Sequence, residues 1–329
     1  MAKIYYEPDA DLSALKGKRM AVVGYGIQGR AQALNLRDSG LDVVVGLRRG
    51  GESWGRAKGD GVEVAEVSEA VRGADVVLVL IPDEVQPSVW KKEIEPNLKD
   101  GVALDWAHGF NITFRAIQPP GTSDVVMVAP KAPGRALRQE FLNGWGVPAL
   151  LAVEQDYTGH ARETALAIAK GLGSTRVGVI ETTFREETET DLLGEQVDLC
   201  GGVTELIKTS FQVLVEEGYQ PELAYFEVLH ELKMIVDLIQ AGGIEHMWAN
   251  VSNTAEFGGR TRGRRVIDPH VRKNMEALLA DIKSGAFARE WMAEYETGMK
   301  TMAKLREGGP REQIEVVGAA VRSMFAKRP

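Results

Sequence analysis

The glycines at 24, 26 and 29 restrict what this chain can fold into more than any other feature, because they join a strand-like run to a helical pattern. The string AVVGYGIQGRA places GxGxxG directly after the aliphatic run 19–24 and at the start of a helix expected over Ile27–Asp38. In such a unit one glycine makes the tight turn, one admits a pyrophosphate close to the backbone, and one lets the helix lie near the strand. A second aliphatic run ends near residue 46, which completes the context of a dinucleotide-binding turn.

Residues 42–46, 75–81, 101–105, 124–129, 149–153 and 176–180 also read as strands. Several are apolar at successive positions, so both faces should be covered, as in a parallel sheet flanked by helices. From about Phe184 onward only long helical stretches are visible. The expectation is α/β: a Rossmann-type parallel-sheet domain over 1–182 and an all-α domain over 183–329.

Composition narrows the function classes. Against 39 Lys and Arg stand 47 Asp and Glu, a net charge of -8, opposite in sign to a phosphate-backbone binder. Nucleic acid is not an expected partner. Cys200 is the only cysteine, so neither an internal disulfide nor a cysteine-rich zinc site is available. The first eleven residues lack the basic and apolar segments of a signal peptide, and no apolar run reaches the ~18 residues of a membrane span. A cytoplasmic protein with no membrane partner is expected.

The loop after the second strand bears on which dinucleotide binds. An acid there usually holds the ribose hydroxyls of NAD, whereas arginine accommodates a 2′-phosphate. Arg48 and Arg49 favour NADP(H), and Ser53 supplies a further donor. Glu52 would repel a phosphate if turned inward, or accept from ribose hydroxyls, so NAD(H) stays open.

Two carboxylate groupings sit in the helical half. Asp191 and Glu195 are four apart and share a helix face with Glu187, which leaves open which two of the three would bind a ligand. Glu227 and Glu231 interrupt an apolar stripe containing Leu223, Ala224, Met234, Ile235 and Leu238. A buried stripe would make two adjacent carboxylates costly unless a cation or protons neutralise them. Oxygen ligands without cysteine suit Mg²⁺ or Mn²⁺, and two pairs could hold two ions; exposed helix faces or an intersubunit salt bridge are the alternatives.

His108 follows the strand ending at Asp105 and Lys131 follows the one ending at Ala129, which aims both at the carboxyl edge of the sheet where ligands bind. The loop of Asp83, Glu84, Val85 and Gln86 lies at that edge too. Residues 258–265, GGRTRGRR, read as a basic, glycine-rich loop, solvated or in a subunit contact, and Ser252 just before it offers a hydroxyl to a substrate.

Taken in order, VVGYGIQGRAQALNLRDSG, LDWAHGFNI, APKAPG, TFREETETDLLGEQ, YFEVLHELK and SNTAEFGG resemble the ketol-acid reductoisomerases over nearly the whole chain. The length resembles the family's short form, with one C-terminal domain. The resemblance implies a knotted helical domain that pairs with a second subunit, so a homodimer or higher assembly with an intersubunit site. It implies two Mg²⁺, with Asp191 bridging them, Glu195 on the first, and Glu227 and Glu231 of the partner subunit on the second. Ser252 would contact substrate from that partner as well. His108 matches the catalytic residue, and Lys131 with Pro133 and Gly134 matches the loop beside metal and nicotinamide. Gly24 to Gly29, including Tyr25, Ile27 and Gln28, match the cofactor turn, and Arg48, Gly51, Ser53 and Asp83 to Gln86 match further cofactor contacts. Gly51 departs from the family's frequent serine.

The implied substrate is a 2-hydroxy-2-alkyl-3-oxo acid such as 2-acetolactate, isomerised and then reduced to a 2,3-dihydroxy acid. Proton transfer falls to a network of metal-bound water, Glu231 and His108, whose division of labour stays open. Two rivals are a plain nicotinamide-dependent hydroxy-acid dehydrogenase and a non-catalytic dinucleotide sensor; neither accounts for Glu227 and Glu231.

Overall fold

The structure, a computed structural model, describes residues 2–325 of the chain. Two compact units emerge, Met1–Thr190 and Asp191–Pro329, and the division falls within one helix.

The first unit is built on nine strands: β1 Ile4–Tyr5, β2 Arg19–Val23, β3 Asp42–Gly46, β4 Glu63–Ala65, β5 Val76–Val79, β6 Ala103–Trp106, β7 Asp124–Pro130, β8 Ala149–Gln155 and β9 Val179–Glu181. Between them run α1 Ile27–Asp38, α2 Glu52–Gly59, α3 Val67–Val71, α4 Gln86–Val89, α5 Phe110–Thr113, α6 Gly134–Leu142 and α7 Ala161–Leu172. The sheet order is β1-β9-β8-β7-β6-β5-β2-β3-β4. From β4 to β7 every neighbour is parallel, which is the doubly wound order with its reversal point between β2 and β5.

Apolar residues at successive positions follow from two covered faces. Met20 and Val22 pack into one core with Leu78, Val128 and Leu36, while Ala21 and Val23 pack into the other with Val79, Leu104 and Trp106. Burying a valine or leucine fully contributes about 1.5–3 kcal/mol, so neither alternation of β2 tolerates a polar residue without compensation.

Two features depart from expectation. β1 and β4 have two and three residues, too few for an alternation to be read. β8 runs antiparallel to β7 in a sheet expected to be parallel. The cause is local: Lys131 N–H donates to Pro148 C=O at 2.9 Å, so the excursion through α6 leaves and returns at one end of the sheet.

α8 Phe184–Gly194 leads into the second unit, which is helical throughout its described residues. Its first helices are α9 Gly201–Glu216, α10 Pro221–Tyr225, α11 Leu232–Gly242, α12 Ile244–Ala249 and α13 Asn253–Val266. Phe211, Ala224, Tyr225, Ile314 and Val321 form its small buried core. The segment 258–265 is helical, part of α13, where a loop was expected. Ser252 caps the helix by accepting from Ala255 N–H, and Arg260 pairs with Glu256 one turn back and with Glu245. Gly259 permits the close approach of Trp248, whose ring would lie 2.5 Å from a Cβ there. Among the described residues no helix is long and apolar enough to cross a membrane.

Candidate active site

The glycine turn sits at the reversal point of the sheet, and its three glycines divide their tasks. Gly24 has φ +108°, and a Cβ there would stand 2.6 Å from Leu80 C=O at the end of β5. A Cβ at Gly29 would stand 2.5 Å from Gly24 C=O, so α1 could not approach the turn. At Gly26, the N-cap of α1, a Cβ would meet nothing within 4 Å. That open space lies at the positive end of a helix and leaves the backbone of the turn accessible to an anion.

Neighbouring groups hold this turn in place. Tyr25 O–H donates to Asp60 at 2.9 Å, and Arg30 grips the same carboxylate through two nitrogens. Burial, then the bond to Asp60, pushes the Tyr25 hydroxyl far above its ordinary range, so it stays a proton donor. Gln28 Nε2 donates to Ala132 C=O at 2.9 Å, joining the turn to the segment that follows β7. Gly134 abuts the Ile27 carbonyl, leaving no room for a side chain.

The loop after β3 presents Arg48 to solvent, while Arg49 is drawn to Glu66 at 2.9 Å. Gly51 N–H closes a turn onto Arg48 C=O and caps α2. Ser53 Oγ accepts from Arg56, a cation the sequence reading passed over. Glu52 is exposed in the first turn of α2, where an acid complements the helix dipole.

The densest polar centre gathers around Glu187, whose side chain is wholly buried. Its oxygens accept from Lys131 Nζ at 2.7 Å, from Gly109 N–H at 3.0 Å and from His108 Nδ1 at 3.1 Å. Burial alone would raise this carboxyl; the bond and charge of His108 and the ammonium of Lys131 outweigh it and hold it at about 2. Glu187 is therefore a fixed anion that orients an imidazole and an ammonium from two different strand ends. Gly109 lets α8 come this close, since a Cβ would collide with Thr188 and Phe184. Of the three acids at four-residue steps from 187 to 195, Glu187 alone is fully buried, a distinction that spacing leaves open.

Asp191 is half-buried one helical turn beyond Glu187, and Glu195 is exposed. Glu227 and Glu231 are exposed as well, in place of the burial expected from their apolar stripe. Leu223 and Met234 beside them are 49% and 53% exposed, because nothing in the described chain covers that face. Each carboxylate pair borders a π turn: Glu195 opens Glu195–Leu199, and Glu227 lies within Phe226–His230 with Glu231 directly after it. Glu231 N–H bonds back five residues to Phe226 C=O, so a four-residue spacing falls just short of one turn and Glu227 and Glu231 still share a side. Such turns recur at functional sites.

Chains with this sheet order bind dinucleotides at the reversal point, and an imidazole and an ammonium at the same edge place this one in the class of nicotinamide-dependent oxidoreductases. Residues 14–178 match the model of the acetohydroxy acid isomeroreductase NADPH-binding domain, and residues 184–327 match that of the ketol-acid reductoisomerase C-terminal domain. The chain is 60% identical to the ketol-acid reductoisomerase (NADP(+)) of Pyrobaculum aerophilum over 99% of each chain. It is 56% identical to that of Methanocaldococcus jannaschii over 98% of each. A solved NADH-preferring ketol-acid reductoisomerase from an uncultured archaeon superposes with a TM-score of 0.96 at 48% identity, covering 99% of this chain and 100% of that one. The chain belongs to the ketol-acid reductoisomerase family.

Proposed function

We propose that this chain isomerises 2-acetolactate or 2-aceto-2-hydroxybutyrate by alkyl migration and reduces the product to a 2,3-dihydroxy acid, in valine and isoleucine synthesis. The observation that carries the reading is the Glu187 centre, which holds His108 and Lys131 together at the edge that bears the cofactor turn.

The glycine turn 24–29 receives the pyrophosphate of NADP(H), and Arg48 with Ser53 receives the 2′-phosphate; Asp83 to Gln86 and Gly134 border the nicotinamide. NADPH supplies the hydride. NAD(H) remains the second cofactor, because Glu52 stands beside the phosphate loop.

The candidate metal ligands fit a hard divalent ion. Asp191, Glu195, Glu227 and Glu231 offer carboxylate oxygens alone, and the last three are exposed to an arriving cation. In this reading Asp191 and Glu195 act with Glu227 and Glu231 of a second copy. When bound, two Mg²⁺ act as Lewis acids on the alkoxide and carbonyl oxygens of the substrate.

The chain's own residues do the remaining work. His108, oriented through Nδ1 by Glu187, takes part in proton transfer, and Glu231 shares that task. Lys131 orients substrate oxygen from the other side of the same carboxylate. Ser252 Oγ accepts from a backbone N–H and keeps its hydroxyl proton for the substrate carboxylate. The uncovered apolar face around Leu223 and Met234 supports a homodimer whose site needs both copies. The biosynthetic role and the single cysteine support a place in the cytoplasm.

A steady-state assay with acetolactate tests this. NADPH oxidation should require both acetolactate and Mg²⁺ and should stop on chelation. Turnover that persists at full rate with chelator points instead to a metal-free dehydrogenase.

A further inference from the structure

A second buried polar centre lies behind the cofactor crevice, and Gln86 is its hub. Its side chain is 3% exposed, and both ends of the carboxamide are engaged. Nε2 donates to Ile81 C=O at 2.9 Å and to Asp83 Oδ1 at 3.1 Å. Oε1 accepts from Trp106 Nε1 at 3.0 Å and from Asn111 Nδ2 at 3.0 Å. Asn111 Nδ2 donates a second time, to Asp83 C=O at 3.0 Å.

Chemistry fixes the orientation of both amides. An indole N–H only donates, so Gln86 must turn its oxygen toward Trp106, and its nitrogen then faces Ile81 and Asp83. With that oxygen shared, Asn111 must present its nitrogen. Asn111 Oδ1 is buried and has no hydrogen-bond partner among the described residues, so this side chain is present for its donors. Two donors and two lone pairs exhaust the Gln86 carboxamide, and nothing polar on it remains for a ligand.

The groups joined come from three places. Ile81 and Asp83 belong to the loop after β5 at the reversal point, Trp106 ends β6, and Asn111 lies in α5 just beyond His108. We infer that Gln86 is a positioning residue whose side chain clamps the cofactor-facing loop 81–86 to the His108 segment, the carboxamide holding nicotinamide and imidazole at a set spacing without itself touching either. The inference deepens the function proposed above and rests on it for the roles of loop and histidine.

Gln86→Met keeps the shape and removes all four bonds; Asn111→Leu keeps the shape and removes two. Each full-length variant should raise the KM for NADPH about tenfold and lower kcat severalfold, and the double variant should be little worse than the worse single one, as for residues in one network. Assays run well below each variant's melting temperature, where a merely structural role lowers Tm and leaves KM and kcat alone. That pattern overturns the proposal. A KM effect confined to Gln86→Met, with Asn111→Leu unchanged, overturns it too, in favour of direct contact between Gln86 and cofactor. If the apolar variants do not fold, Gln86→Glu and Asn111→Asp decide by the same criteria. NADPH affinity, read by fluorescence titration without substrate, separates the two failures: an inactive wild-type chain refutes the function, whereas unchanged affinity in both variants refutes the clamp.

Discussion

At the scale of single residues, the decisive group is a carboxylate that spacing could not single out. Glu187, Asp191 and Glu195 are equivalent in a helical pattern, and it is burial that sets Glu187 apart: it is buried, Asp191 half-buried and Glu195 exposed. His108 and Lys131 were legible because each follows a recognisable strand; the anion between them was not. Glu187→Gln should lower kcat by about a hundredfold, since it replaces the anion to which His108 and Lys131 both bond, while NADPH affinity changes less than threefold. Kinetics alongside a binding titration would check both halves. Asp105 offers a test of stability. It is wholly buried, with Oδ1 accepting from Val128 N–H and no hydrogen-bond partner for Oδ2 among the described residues. Burial pushes this carboxyl well above the usual range, so the folded chain holds it protonated. Its contribution is complete below about pH 4, the unfolded value, and is lost as pH rises toward the folded one. Asp105→Asn should therefore raise Tm at pH 8 and flatten the slope of Tm against pH above 4. An unaltered slope would show that Asp105 is ionised in the fold.

Among elements, the strand–turn–helix unit was the most legible, because its signal is local: α1 spans the expected Ile27–Asp38. The direction of β8 was not, since it depends on a backbone bond between residues 131 and 148 that no periodicity records. The glycine-rich run 258–265 misled for a related reason. Glycine and arginine suggest a loop, yet the Ser252 cap, the Glu245 and Glu256 pairs and the fit of Trp248 at Gly259 outweigh the helix propensity lost, about 1 kcal/mol per glycine. The glycine turn separates folding from binding within six residues. Gly29→Ala should destabilise the protein by several kcal/mol or prevent its folding, because its Cβ would press on a backbone carbonyl. Gly26→Ala, with no neighbour to meet, should melt within a few degrees of the parent yet bind NADPH at least tenfold more weakly. Calorimetry and titration on the pair would show whether the two glycines differ in this way.

For the molecule as a whole, the change from mixed to helical structure near residue 184 was plain from pattern alone: β9 ends at Glu181 and α8 begins at Phe184. What the pattern could not show is that the stripe holding Glu227 and Glu231 would face outward, because periodicity reports an apolar side and not what covers it. Asp191→Asn and Glu227→Gln should each abolish isomerisation. If the site is shared between copies, co-expressing the two variants should restore about a quarter of the parent rate, since half the dimers are mixed and each has one intact site. No recovery would mean that each copy supplies all its own ligands. The bare apolar side has a further consequence for handling. If that side joins two copies, the contacts weaken on cooling and separate on dilution, so a thin, chilled stock should lose turnover and regain it on warming or concentration, with a lag set by re-encounter.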